Sequence, residues 1–408
     1  MTVDQDIVIV GGGLTGPALA LALAQAGLRT AVIDARPAVM LGDPGFDGRS
    51  YALAQSSQRL LSALDLWPTL ADQAQPILNI EVSDGQVGLG PGPFGLAFDA
   101  AEIDGGPMGY MVEDRHIRRA LLDALARNDR VHVVNGAAVT EQVVTPGRVE
   151  VHLADGQRIS ARLLIGADGR QSGTAARAGI GRLEWSYGQT ALVCALSHSL
   201  PHDGIARQIF LPQGPLAILP LTGARCSIVW SEEARLAAEI QSMSEADYLT
   251  VLQPRFGGIL GDLSLAGQRY TYPLNLTLAR QMVGARIALV GDAAHGVHPI
   301  AGQGLNAGFR DLGALAQVLA EAVRRGEDMG APAVLARYAQ WRRADTVSLA
   351  LATDTFNRLF SNDNPLLRLG RGLGMGAVNA LPGLRRALIR EAAGVAGDVP
   401  VLLRGQKL

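Results

Sequence analysis

The stretch from Ile7 to Asp34 constrains the fold more than any other part of the chain. Ile7-Val8-Ile9-Val10 is an apolar, β-branched run of the kind that forms a buried strand. Gly11-Gly12-Gly13-Leu14-Thr15-Gly16 follows as a turn, Pro17–Ala26 reads as an Ala/Leu-rich helix ended by Gly27, and Arg29–Asp34 returns as a second strand. Pro17 in the first helical turn costs little, because its missing N–H would have no partner there. No charge falls between Ile7 and Leu28, so by length alone the segment would qualify as a membrane span. Three glycines interrupt it after four residues, and Asp4 and Asp6 precede it with no basic residue. It is read as strand, turn and helix, a βαβ unit of about thirty residues.

Such a unit binds a dinucleotide when its turn has the right chemistry. Gly11 allows the tight turn, Gly13 lets backbone approach a pyrophosphate, and Gly16 permits close packing of helix on strand, with Leu14 and Thr15 between them. The helix N-terminus then offers free N–H groups and a positive dipole end to phosphates. Asp34, at the end of the second strand, is placed to accept hydrogen bonds from a ribose.

With 408 residues the chain has room for two or three domains. At 48% hydrophobic and 18% charged it is too apolar for disorder, and a net charge of −2 offers no basic field to nucleic acid. Cys194 and Cys226 stand far apart and form no metal cluster or disulfide framework, which fits a reducing cytoplasm. The expected division assigns 1–80, 111–184 and 276–330 to a nucleotide-binding domain. It gives 81–110 and 185–275 to an inserted, mainly antiparallel substrate sheet, and 331–408 to C-terminal helices. Alternating stretches such as Thr190–Ser197 and Cys226–Trp230 carry the sheet, and a helical insertion over Ser231–Phe256 interrupts it. Residues 84–107 are glycine-rich, and Gly88-x-Gly90-x-Gly92 reads as a flexible turn rather than a phosphate loop.

Two further motifs follow buried strands. Gly166-Ala167-Asp168-Gly169 is by itself a common turn, but beside the first motif Asp168 and Gly169 gain a place against a nucleotide at the sheet edge. Gly291-Asp292-Ala293-Ala294-His295 continues through His298-Pro299-Ile300-Ala301-Gly302-Gln303-Gly304-Leu305-Asn306. There Asp292 can accept from ribityl hydroxyls. Gly302, Gly304 and the start of the next helix offer N–H groups to an electron-rich ring oxygen. His295 and His298 are either acid–base residues or histidines that pack the loop. No second GxGxxG has a strand and helix around it, which excludes a disulfide-reductase architecture with two nucleotide domains.

In this order and spacing the three motifs resemble the class A flavin-dependent aromatic monooxygenases. That implies an α/β, Rossmann-like, glutathione-reductase-like FAD-binding domain with an inserted sheet. More narrowly, Asp47-Gly48-Arg49-Ser50-Tyr51-Ala52-Leu53, Gly214-Pro215-Leu216-Ala217, His298–Asn306 and Ala352-Thr353-Asp354 with Arg358-Leu359-Phe360 look like the ubiquinone-biosynthesis hydroxylases. The resemblance implies bound FAD, NAD(P)H as transient reductant, O2 as co-substrate and a polyprenylated phenol as substrate. It implies Arg49 near the isoalloxazine, with Leu305 and Asn306 at its pyrimidine edge, and no metal.

Two positions depart from the pattern. Asp34 stands where the wider class commonly has Glu, and Asp114 stands where many members place Arg or Gln on the flavin, so that contact is not assigned. No catalytic base is identified; Tyr187, Tyr270 and Tyr272 are the candidate hydroxyls, each with a structural reading too. A flavin-dependent prenyl reductase and a non-enzymatic flavoprotein subunit remain the alternatives. Among the C-terminal residues, apolar positions from Phe356 to Ile389 lie among Arg358, Arg368, Arg371, Arg385, Arg386 and Arg390. They read either as a helical cap or as a peripheral surface for the cytoplasmic membrane or for a biosynthetic protein complex.

Overall fold

A computed structural model describes residues 4–41, 43, 45–102, 106–296, 303–343, 345 and 381–408. Its first sheet runs in the order Val283–Gly284, Ile287–Leu289, Arg158–Gly166, Gln5–Val10, Thr30–Asp34 and Val131–Asn135. From the Ile287 strand to the Val131 strand all neighbours are parallel. The first strand shows why its sequence does not alternate. Ile7 and Ile9 face a core shared with the first helix, while Val8 and Val10 face one shared with Val149, Val151 and Ile159 of an antiparallel ribbon. Both faces are covered, so both must be apolar. Truncating Ile9 to Ala would cost roughly 2–5 kcal/mol.

The first helix spans Thr15–Gln25, and Gly27, at φ +83°, turns the chain out of it. Asp155-Gly156 closes a hairpin, and the helix Asp114–Ala126 and the long helix Gln303–Arg324 pack into the same core as Ile7 and Ile9. The fold is an α/β, Rossmann-like domain with an inserted mixed sheet and C-terminal helices.

The second sheet has nine strands. In order they are His295–Gly296, Tyr270–Ala279, Arg182–His198, Arg225–Glu233, Gly214–Leu221, Ile205–Leu211, Asn79–Gln86 and Gly90–Asp99, with Leu263–Leu265 beside the Arg182 strand. All pairings are antiparallel except that of Ile205–Leu211 with Asn79–Gln86. Here the structure corrects the sequence reading. Only Val87–Leu89, around Gly88, make a turn, and the glycines from Gly90 on lie in an edge strand. A Cβ on Gly92 would stand 2.6 Å from the Asp84 carbonyl, and one on Gly95 2.6 Å from that of Val82. These glycines let two strands close together rather than loosen a loop.

The helical insertion forms as Ala234–Ser242 and Glu245–Phe256. It covers one face of this sheet, burying Tyr248, Leu252 and Phe256 with Trp230 and both cysteines. A small third sheet, Ser50–Ala54, Gly109–Glu113 and Gln75–Ile77, touches the Gly214–Leu221 strand as well as the long helix. Among the described residues no helix is long and apolar enough to cross a membrane.

Candidate functional site

The glycine turn explains itself residue by residue. A Cβ on Gly11, whose φ is +118°, would stand 2.2 Å from the Ala167 carbonyl oxygen; one on Gly16 would stand 2.0 Å from that of Gly11. Those two glycines are demanded by the chain's own backbone. Gly13 is different, because no heavy atom lies within 4 Å of its would-be Cβ. Nothing inside the protein requires a glycine there, and the open space lies beside the N-terminus of the first helix. That is the fit expected for a pyrophosphate.

The second and third motifs meet the first. Ala167 closes on Gly11, while Gly291, at φ +60°, and Gly308 of the long helix both approach the Thr15 hydroxyl. Asp34 is almost fully buried. Its carboxylate accepts from the Gly12 N–H at 2.6 Å, from the Arg36 N–H at 2.7 Å and from the Arg36 side chain at 2.9 and 3.0 Å. Burial works against the charge. The Arg36 guanidinium and these N–H donors outweigh it and hold the carboxyl below its ordinary value.

Not every expected residue presents its side chain. Asp168 accepts from the Ser172 hydroxyl at 2.5 Å, and from the Thr174 N–H and hydroxyl at 2.9 Å each, so its carboxylate shapes the start of the Gly173–Arg177 helix. Gly169, at φ +78°, has open space around it. Asn306 is also spent internally. It accepts from the Ala54 N–H and the Ser57 hydroxyl and donates to the Ala52 carbonyl, pinning the Ser50–Ala54 strand to the long helix. Leu305 is half-buried and Gly304 has open space in front of it. Gly302, His298, Asp354 and Arg358–Phe360 lie outside the described residues.

Asp292 is partly exposed, and Arg170 donates to it at 3.1 Å while also reaching Asn275. Beneath it lies a knot that sequence reasoning missed. The fully buried Asp311 accepts from the Gly291 N–H at 2.8 Å and from His295 Nε2 at 2.5 Å with one oxygen, and from Arg342 Nε at 2.8 Å with the other. Burial opposes both charges in the His295–Asp311 pair. Their mutual attraction, helped at Asp311 by Arg342, raises the imidazole's pKa and lowers the carboxyl's. His295, held by Asp311, therefore braces the Gly291 turn. The available signal was a lone acid at position 311 within an apolar helical stretch.

Arg49 stands at the junction of the sheets. Asp47 holds its guanidinium at 2.6–2.7 Å, and the buried Asp114 lies 3.5 Å away. Asp114 in turn accepts from Arg118 Nε at 3.0 Å and Nη2 at 2.9 Å. Gly48, at φ +95°, rests against the Gln268 carbonyl, which brings this loop onto the second sheet. Tyr270 and Tyr272 stand in the field of Arg49 and Asp47, and burial raises the pKa of both phenols. Tyr187 lies on the neighbouring Arg182–His198 strand.

Residues 4–350 match the family model described as "FAD binding domain". The chain belongs to this FAD-binding family. It is 44% identical to "Ubiquinone hydroxylase UbiL" of Rhodospirillum rubrum over 99% of this chain and 93% of that one. It is 36% identical to "3-demethoxyubiquinol 3-hydroxylase" of Escherichia coli over 96% and 98%. In fold it is similar to the crystal structure of p-nitrophenol 4-monooxygenase PnpA from Pseudomonas putida, with a TM-score of 0.80, 20% identity and coverage of 98% and 100%. This family member is an FAD-dependent monooxygenase with the class A aromatic-hydroxylase fold.

Proposed function

We propose that the protein hydroxylates the ring of a polyprenylated phenol in ubiquinone biosynthesis, using FAD, NAD(P)H and O2. The observation that carries the reading is the closing of the second motif on Gly11 and of the third on Thr15, in a chain that shares nearly its whole length with ubiquinone hydroxylases. When bound, FAD supplies the chemistry that carries electrons from the nicotinamide to O2 and one oxygen atom to the ring.

The chain's own residues have the remaining tasks. In this reading the backbone from Gly11 to Gly16 takes the diphosphate, Asp34 the ribose and Asp292 the ribityl chain. Gly169 belongs to the turn beside the nucleotide, while Gly291, Gly302, Gly304, Leu305 and Asn306 frame the ring through backbone. A phenol is already electron-rich, so the protein mainly orients it and keeps water away. Arg49, with Tyr270 and Tyr272 in its field, is the group able to stabilise a phenolate.

Residues 1–80, 111–184 and 276–330 form the FAD-binding domain in this proposal, and 81–110 and 185–275 carry the substrate sheet. Work at the cytoplasmic face of a membrane fits the C-terminal helix Pro382–Ala392, where Leu384 and Leu388 are exposed beside Arg386 and Arg390. Arg385 is not part of that surface, since it donates to Glu102 at 2.7 Å.

The test is turnover of a short-tailed prenyl phenol by purified enzyme under 18O2. One labelled oxygen on the ring and matching NAD(P)H oxidation are expected. A product gaining two hydrogens and no oxygen would instead mean a prenyl reductase.

A further inference from the structure

The acids gathered around the three motifs differ in how much of each carboxylate the chain keeps for itself. Asp34 accepts from four donors, and Asp168 and Asp311 from three each, with both oxygens engaged every time. Asp292 is the exception. Among the described residues only Arg170 donates to it, from Nε to Oδ2 at 3.1 Å, and 39% of the Asp292 side chain stays exposed. Asp292 therefore keeps acceptor capacity that the other three have spent. An exposed side chain free to turn would lose part of that use, because binding would first have to order it.

The course of Arg170 supplies that order. Arg170 directly follows Gly169 and is tied down at three places. Its carbonyl accepts from Arg182 Nη1, and Arg182 Nη2 donates to the Ala293 carbonyl at 2.6 Å, one residue from Asp292. Its stem crosses Gly296, where a Cβ would stand 3.1–3.3 Å from Cγ, Nε and Cδ. Its Nη1 donates to Asn275 Oδ1 at 3.1 Å. Asn275 lies on the Tyr270–Ala279 strand of the second sheet, which also carries Tyr272. A planar guanidinium holds two partners in two fixed directions at once, which an ammonium does not.

We propose that Arg170 is a positioning residue. Anchored on the second sheet through Asn275, it holds the Asp292 carboxylate by one oxygen and keeps the other for the ribityl hydroxyls of the cofactor. The inference rests on the reading of Asp292 as the ribityl acceptor.

The experiment titrates apoprotein calorimetrically with FAD and with ADP, and records its melting in parallel. The variants are R170M, N275L, D292A and D292A/R170M. Arg170 and Asp292 are both partly exposed, so losing their ion pair should hardly change folding.

R170M should bind FAD about three- to thirtyfold more weakly, within the span of coupling between contacting residues. N275L leaves Arg170 and Asp292 in place and should show a smaller loss in the same direction. ADP has the diphosphate and no ribityl chain, so its affinity should match wild type in both variants, as should melting. In the D292A background R170M should cause no further loss. Wild-type or tighter FAD binding in R170M, or wild-type binding in N275L, would overturn the proposal. A parallel loss of ADP affinity, or a further loss in D292A/R170M, would also overturn it, because Arg170 would then act without Asp292. A D292A protein that binds FAD as wild type does would instead fail the ribityl reading itself.

Discussion

The two large sheets place their charges differently. In the parallel sheet, acids sit where strands end: Asp34 after Thr30–Ile33, Asp168 after the Arg158 strand, Asp292 after the Ile287 strand. In the mixed sheet the buried acid is Glu232, held by Trp230 Nε1 at 2.9 Å and by Arg255 at 3.3 Å, with Arg255 stacked over the Trp230 ring. Burial raises the pKa of Glu232, and its neighbours only partly oppose that. The first arrangement gathers charge at the carboxyl edge, where open α/β sheets take nucleotides. The second seals charge into a core. In the proposed reading the cofactor is recognised by a few strand-end residues and the substrate by the second sheet.

The largest effects should come from two glycines that look alike in sequence. Gly16→Val drives a side chain into the Gly11 carbonyl and should leave little soluble protein. Gly13→Val meets no internal atom and should fold, yet purify without FAD. Equal FAD content in the Gly13→Val protein and wild type would remove the main support for the pyrophosphate site.

Next in size is Asp311→Ala, which strands the buried Arg342 cation and removes the partner of His295. It should cost roughly 3–5 kcal/mol by denaturant titration, the range for breaking a buried ion pair. Asp292→Ala should act on the cofactor instead, weakening FAD by about 1.5–3 kcal/mol while the apoprotein's midpoint stays put. If Asp292→Ala lowers the midpoint and spares FAD, the contrast between a bracing acid and a binding acid fails.

A pH series sharpens the same contrast. Asp34 has its pKa lowered by folding, so its contribution to stability is complete above the ordinary carboxyl value and fades as pH falls through the lower folded value. His295 has its pKa raised, so its contribution is complete below the ordinary imidazole value and fades as pH rises through the higher folded one. D34N should flatten the acid limb of the stability profile and H295Q the alkaline limb. The reverse pattern would refute both assignments.

The smallest effect concerns the C-terminal helix. Arg386→Glu with Arg390→Glu should lower product formation in cells severalfold and leave turnover of a soluble short-tailed analogue unchanged. Equal loss in both assays would make the helix structural.

The sequence discloses local arrangements well and long-range ones poorly. The βαβ unit, its glycine turn and Asp34 are contiguous or nearly so, and backbone sterics alone fix their roles. The Asp311 knot joins Gly291, His295 and Arg342, which only packing brings together, so no spacing rule announces it. Asn306 and Asp168 have the expected neighbourhoods, but their side chains turn inward, a choice of rotamer that residue type does not reveal. The edge strand at Gly90–Asp99 reads as loop because glycine marks both looseness and close approach.

The two cysteines have a practical consequence. Cys194 and Cys226 are the only thiols in the chain, and both lie in the core under the helical insertion. Burial pushes them up to about 11 and about 12, so neither offers thiolate to a reagent at neutral pH. The native molecule is thus already blank to maleimides. A single cysteine placed at position 386 would carry a fluorophore to the C-terminal helix without background. The later appearance of two more reactive thiols would time the opening of the second sheet, separately from any release of flavin.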